Sequence, residues 1–174
     1  SVGHFLLGDV LPQARVLIEN LQKIPGVLKA EVVGALRRFQ ETVGGIDILV
    51  VSNNPKIILN CPVKLENGLS VTVRIVPEKS YGAALNYFTG SKNFNIALQK
   101  IAIEKDLELN ENSLYKSEQE IYSALGLQYI PPELREMTGE IDVALRQAQG
   151  KPHGLPKLIE LKDIRGDLQT QTNW

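Results

Sequence analysis

The residues best suited to chemistry lie in one stretch, Gly34-Ala-Leu-Arg-Arg-Phe-Gln-Glu-Thr-Val-Gly-Gly-Ile-Asp-Ile-Leu-Val50. Arg37 and Arg38 supply adjacent cations, and Glu41 and Asp47 supply carboxylates. Gly44-Gly45 turns into a β-branched run, 46–51, with Asp47 inside it. A carboxylate in such a run is costly to bury unless it is paired or holds a metal. The stretch therefore reads as a site between two strands, with a cationic part for an anion and an anionic part for a cation. Read alone, the same residues fit a blander account: two solvated arginines and an acid making structural hydrogen bonds.

The flanking elements must position this stretch. Ala14, Leu17, Ile18 and Leu21 fall at helical spacing, which predicts a helix over 11–24 capped by Asp9 and stopped by Pro25-Gly26. Alternation predicts strands over 27–33, 46–51 and 69–76, with a tight turn at Asn67-Gly68 before the last. A helix over 81–90 ends at Gly90, and Ser91 opens another in which Phe94, Ala97, Leu98, Ile101 and Ala102 form a core stripe. Residues 107–110 and 113–115 read as short strands joined at Glu111-Asn112. Ser117-x-x-Glu120 is a capping box for a helix closed by Gly126, and Pro131-Pro132 starts a further helical turn. Residues 140–149 read as a polar helix ended by Gly150. The fold class is α+β: a small mixed sheet backed by helices on one face, then a small α/β unit.

Composition narrows the classes. The chain has 174 residues, enough for one domain or two small ones, and is 43% hydrophobic and 22% charged, as globular proteins are. A formal net charge of −1 argues against strong non-specific affinity for DNA. The sole cysteine, Cys61, allows no intramolecular disulfide; it reads as a buried small hydrophobe in a reducing, cytoplasmic setting. No run reaches a membrane span and no signal-peptide pattern is present. The chain begins without Met and stops at Thr172-Asn-Trp174, which reads as a piece of a longer protein. His4 and His153 are isolated and are assigned to no metal.

The opening stretch resembles the nucleotidyltransferase signature of the family X DNA polymerases: Gly-Ser-x-Arg-Arg, Glu, then Gly-Asp-x-Asp before a hydrophobic strand. Gly34, Arg37, Arg38, Glu41, Gly44 and Asp47 match, while Ala35 and Gly45 replace the Ser and the first Asp. Tyr87-Phe-Thr-Gly-Ser91, followed by Phe94-Asn95, is similar to the family's Tyr-Phe-Thr-Gly-Ser and later Phe-Asn. Leu109-Asn-Glu-Asn112 is similar to its Asn-Glu-Tyr, with Asn112 departing from the Tyr. Residues 158–174 resemble the junction into a polymerase-and-histidinol-phosphatase domain, where Gln169 and Gln171 stand for a His-x-His metal pair.

The resemblance implies a nucleotidyltransferase-like palm over 1–77, a thumb (fingers in some conventions) over 78–135, and a tail from 136 leading toward a metal-hydrolase-like domain. It implies nucleoside triphosphate and DNA as partners, Mg2+ as cofactor, a role in DNA repair and a prokaryotic, cytoplasmic setting. Gly34, Arg38 and Gly44 are then triphosphate contacts. Tyr87 and Phe88 lie under the incoming sugar and base, Gly90 is a further nucleotide-binding residue, and Asn95 reads the minor-groove edge. Gln99 stands where some relatives carry a template-contacting arginine. Asp47 is the remnant catalytic, metal-binding acid, because Thr72 in Val71-Thr-Val-Arg74 occupies the place of a third family Asp. One acid and a hydroxyl hold far less charge for paired magnesium ions. The expectation is a module that keeps nucleotide or DNA binding with polymerase chemistry lost or impaired. The rivals are an active, atypical nucleotidyltransferase that recruits Glu41, and a protein-interaction scaffold, which the near-neutral charge favours.

Overall fold

The computed structural model describes residues 4–54, 56 and 64–150. Cys61, His153, Gln169 and Gln171, and the readings made on them, lie outside the described residues. Strand β1 (Phe5–Leu6) runs directly into helix α1 (Leu7–Gln22), whose Val10, Ala14, Leu17 and Leu21 are buried at helical spacing. The predicted Asp9 cap is not formed. The cap position is Leu6, held extended by pairing of β1 with β3 (Thr42–Val43), and the Leu7 amide donates to the Glu41 carbonyl at 3.0 Å. Asp9 lies in the first turn instead, where its charge favours the helix dipole.

Strands β2 (Lys29–Val33), β4 (Gly45–Val51) and β5 (Ser70–Val76) form a mixed sheet with β4 in the centre, antiparallel to β2 and parallel to β5. The short helix α2 (Gly34–Arg37) fills the connection after β2. Helices cover both faces of the sheet, not one as the pattern predicted. Ile46, Ile48 and Val50 pack with α1 residues, while Leu49 and Val51 pack with Tyr81, Ala84 and Leu85 of helix α3 (Tyr81–Thr89). The continuous apolar run in β4 is the reason, since a strand buried on both faces has no polar side to show. On edge strand β5 the apolar face fades outward, from buried Val71 to largely exposed Ile75.

A second core gathers Phe94, Leu98 and Ala102 of helix α4 (Lys92–Glu104) with Ile121 and Tyr122 of helix α5 (Glu118–Ala124). Ser91 caps α4, its hydroxyl accepting the Phe94 amide, and Ser117 caps α5 in the same way through the Glu120 amide. Ala83 of α3 belongs to this core while its neighbours Ala84 and Leu85 face the sheet, so α3 is common to both. One expectation fails here. Residues 107–115 form no strands; Asn110 and Ser113 close a local loop through side-chain and backbone hydrogen bonds that compete with any ladder. The polar helix expected over 140–149 is present as α6 (Glu140–Ala148), which buries Ile141 and Ala144 in the second core.

One buried acid ties the two cores. Glu118, in the first turn of α5, accepts two bonds from Arg37, at 2.9 and 2.8 Å, and one from Arg135 Nη1 at 2.6 Å. Arg135 is wholly buried among the rings of Phe94, Tyr122 and Tyr129 and also donates to the Ile130 carbonyl. Burial opposes the Glu118 charge, but the hydrogen bonds and charges of the two arginines prevail and bring its carboxyl down to about 2 from an ordinary 4.5. Glu118→Gln is expected to cost about 3–5 kcal/mol, because it leaves two cations underpaired. A folded-state value below the unfolded one contributes stability that is complete above about pH 4.5 and is lost as pH falls toward 2. Urea midpoints measured from pH 7 to pH 2 should therefore fall more steeply for the parent than for the variant.

Candidate functional site

The loop between β2 and β4 is shaped around Asp47. Gly34 sits at φ +67°, a conformation that favours glycine, and a Cβ there would meet Asp47 Oδ2 at 3.0 Å. Glu41 and Gly44 lie exposed on the way into β4. From α2 the two arginines diverge. Arg37 donates to Thr89 Oγ1 at 2.7 Å and to Glu118; burial opposes its charge, yet Glu118 holds the guanidinium above its ordinary value. Arg38 donates to the Thr89 carbonyl at 2.5 Å and forms an ion pair through Nε with Glu136. Gln40 Nε2 donates to the same Glu136 oxygen at 2.9 Å. Neither arginine is a solvated surface charge.

Arg38, Tyr87, Phe88, Gly90, Asn95 and Gln99 line one groove of about 410 Å³. The sequence named all of these, and the fold brings them together at the end of α3 and the start of α4. Phe88 meets Tyr87 edge to face, with ring centroids 5.2 Å apart. Asn95 donates to the Tyr87 carbonyl at 2.6 Å, while its buried Oδ1 finds no hydrogen-bond partner among the described residues. Gly34, Gly44 and Asp47 do not line this groove. Arg74 provides the link, its guanidinium lying 4.6 Å from the centre of the Phe88 ring and its charge acting on Asp47.

The donors around Asp47 do not fit a pair of magnesium ions. Magnesium takes about six oxygens and favours charged ones. In the parallel register Asp47 lies opposite Thr72, and Gly45 lies opposite Ser70. Asp47 is pushed up from its ordinary value by burial, and a neighbouring cation, Arg74, and a hydrogen bond from Thr72 act against that shift. A Cβ at Gly45 would stand 2.9 Å from the Ser70 carbonyl oxygen, so the strand pairing leaves no room for a side chain there. Among the described residues, no group of three or more His, Cys, Asp or Glu could hold a metal ion. Likewise, among those residues no helix is long and apolar enough to cross a membrane.

Four residues of this region escaped the sequence reading. Glu118, Arg135 and Glu136 were given no role in the site, and Arg74 entered only as the last residue of the Val71-Thr-Val-Arg74 motif.

Residues 84–136 match the family model described as the DNA polymerase beta thumb. A curated relative, "DNA polymerase/3'-5' exonuclease PolX" of Bacillus subtilis (strain 168), is 30% identical over 98% of this chain. The chain spans 34% of that relative's length. A ternary-complex structure of Leishmania infantum polymerase beta superposes with a TM-score of 0.64 at 20% identity, covering 77% of each chain, and so shares the fold.

The closed space at Gly45 is directly testable. Gly45→Asp is expected to lose about 1–3 kcal/mol through overpacking against backbone. Thr72→Asp, at an exposed position, is expected to lose less. Thermal denaturation followed by circular dichroism compares them, and a Gly45→Asp protein as stable as the parent would show that the strands have room.

Proposed function

We propose that this chain, a fragment of the family X DNA polymerase type, binds phosphate-bearing nucleotide or DNA in the α3–α4 groove without carrying out metal-dependent nucleotidyl transfer. The binding half is supported by the convergence of Arg38, Tyr87, Phe88, Gly90 and Asn95 on one groove. Arg38 supplies the cation for phosphate, and the exposed Lys92 stands at the rim. Tyr87 and Phe88 supply faces for a sugar or base.

The observation that carries the other half is the surroundings of Asp47: a hydroxyl across the sheet, a cation beside it, and no space for an acid at Gly45. In this family's chemistry, paired divalent ions bound by carboxylates activate the attacking oxygen and neutralise the leaving phosphate. A lone half-buried acid beside Arg74 supplies neither. This chain's residues bind and orient; they provide no base for the attacking hydroxyl and no ion for the leaving group. DNA repair polymerisation, and the exonuclease activity in the relative's name, are accordingly not proposed for these residues.

Primer extension on gapped DNA with magnesium or manganese tests the reading. The expected outcome is no incorporation above background, with Asp47→Ala indistinguishable from the parent. Robust incorporation that Asp47→Ala abolishes would reverse the proposal and restore Asp47 as a catalytic acid.

A further inference from the structure

Arg38 is the groove's principal cation, yet the fold already gives it an anion. Its Nε is paired with Glu136, the Glu136 oxygen also accepts from Gln40 at 2.9 Å, and Nη1 is turned to the Thr89 carbonyl. The two acids that meet the arginine doublet differ sharply in setting. Glu118 is 3% exposed and accepts from two guanidiniums, whereas Glu136 is 31% exposed and is held by one guanidinium and an amide. A partly solvated pair is weak, because water and salt compete for both partners. The contact of Arg37 with Glu118 is therefore structural, while that of Arg38 with Glu136 is replaceable.

We infer that Glu136 is a resident counter-ligand at Arg38, which a multiply charged phosphate must displace to enter the groove, and which sets that ligand class. The inference rests on the phosphate-binding reading above and adds its regulation. A monoanion exchanges one carboxylate charge for another and gains nothing. A diphosphate or triphosphate brings more charge and more acceptor oxygens, for Arg38 and for Lys92 and Ser91 on the same wall. The ligand is the form free of divalent ion, because chelation neutralises the charge that displaces Glu136 and the groove offers no acids to receive the ion. On displacement Glu136 turns to water. Its neighbour Arg135 stays in place, since Glu118 and the Ile130 carbonyl hold it from inside the second core.

The test is calorimetric titration of the full chain with inorganic pyrophosphate in EDTA and again in excess magnesium. Glu136→Gln keeps the side-chain shape and removes the charge. It is expected to bind pyrophosphate about tenfold more tightly than the parent, as removing a competing charge from one cation should allow. Arg38→Ala should abolish binding in either background, and magnesium should weaken it. Equal or weaker binding by Glu136→Gln overturns the inference while leaving the phosphate-binding reading intact if the parent binds. A parent that fails to bind while Glu136→Gln binds supports it. No binding by either protein overturns both. Matching melting curves establish that the variant is folded. A second measurement needs no variant: in the parent, tripolyphosphate should compete with pyrophosphate and acetate at equal concentration should not. Equal competition by acetate overturns the selectivity.

Discussion

The architecture depends on one buried carboxylate that two arginines share. Glu118 carries its charge at 3% exposure only because Arg37 arrives from the sheet side and Arg135 from the segment between α5 and α6. Removing charges from water is costly, and only near-complete hydrogen bonding makes it tolerable. Here Glu118 receives four donors, the last from the Tyr129 hydroxyl. This requirement ties α2 to the first turn of α5, and Arg37 also holds Thr89 at the end of α3. It also divides the labour of the arginine doublet. Arg37 is used to join the cores, through Glu118 and the Thr89 hydroxyl, and only Arg38 remains for the groove. The arginine doublet thus makes an inner pairing with Glu118, which Arg135 shares, and an outer, exchangeable one with Glu136.

Much of this fold is legible in the residue pattern, and the failures share a cause. Local periodicity gave α1, the strands, the stripe on α4 and the caps at Ser91 and Ser117, because each records which side of an element is buried. It misjudged the sheet's coverage because the apolar run at 46–51 reads equally as one-sided or two-sided until a second helix is placed on it. The strands expected at 107–115 lost to Asn110 and Ser113, whose side chains satisfy backbone groups more cheaply than a distant partner could. Helix α6 read as polar because only Ile141 and Ala144 of its buried residues are apolar.

The groove was legible for a different reason. Tyr87, Phe88, Gly90 and Asn95 are close in sequence and sit on two consecutive helices joined at a turn, so recognising the motif also located the site. Arg38 is the exception, placed there from far along the chain. Its partner Glu136 could not be read, because an ion pair across the fold leaves no local trace in either segment. Sequence therefore revealed what the groove contains and not what already occupies its cation.

The electrostatic character of Asp47 separates two readings of the missing acids. Carboxylates gathered to share divalent ions repel one another, and that repulsion raises their proton affinity. Asp47 is raised, but by burial; its charged and polar neighbours, Arg74 and Thr72, act in the opposite direction and favour ionisation. No second carboxylate contributes to the shift. The surroundings are those of an acid balanced by a resident cation and a hydroxyl, with Gly34 packed against one oxygen. A divalent ion entering there would have to contend with Arg74, whose position is fixed by its stacking on Phe88. The same ring forms part of the groove wall, so charge balance at Asp47 and the shape of the groove are set together. Arg74 is thus the one side chain that both balances the Asp47 charge and packs on a ring of the groove wall.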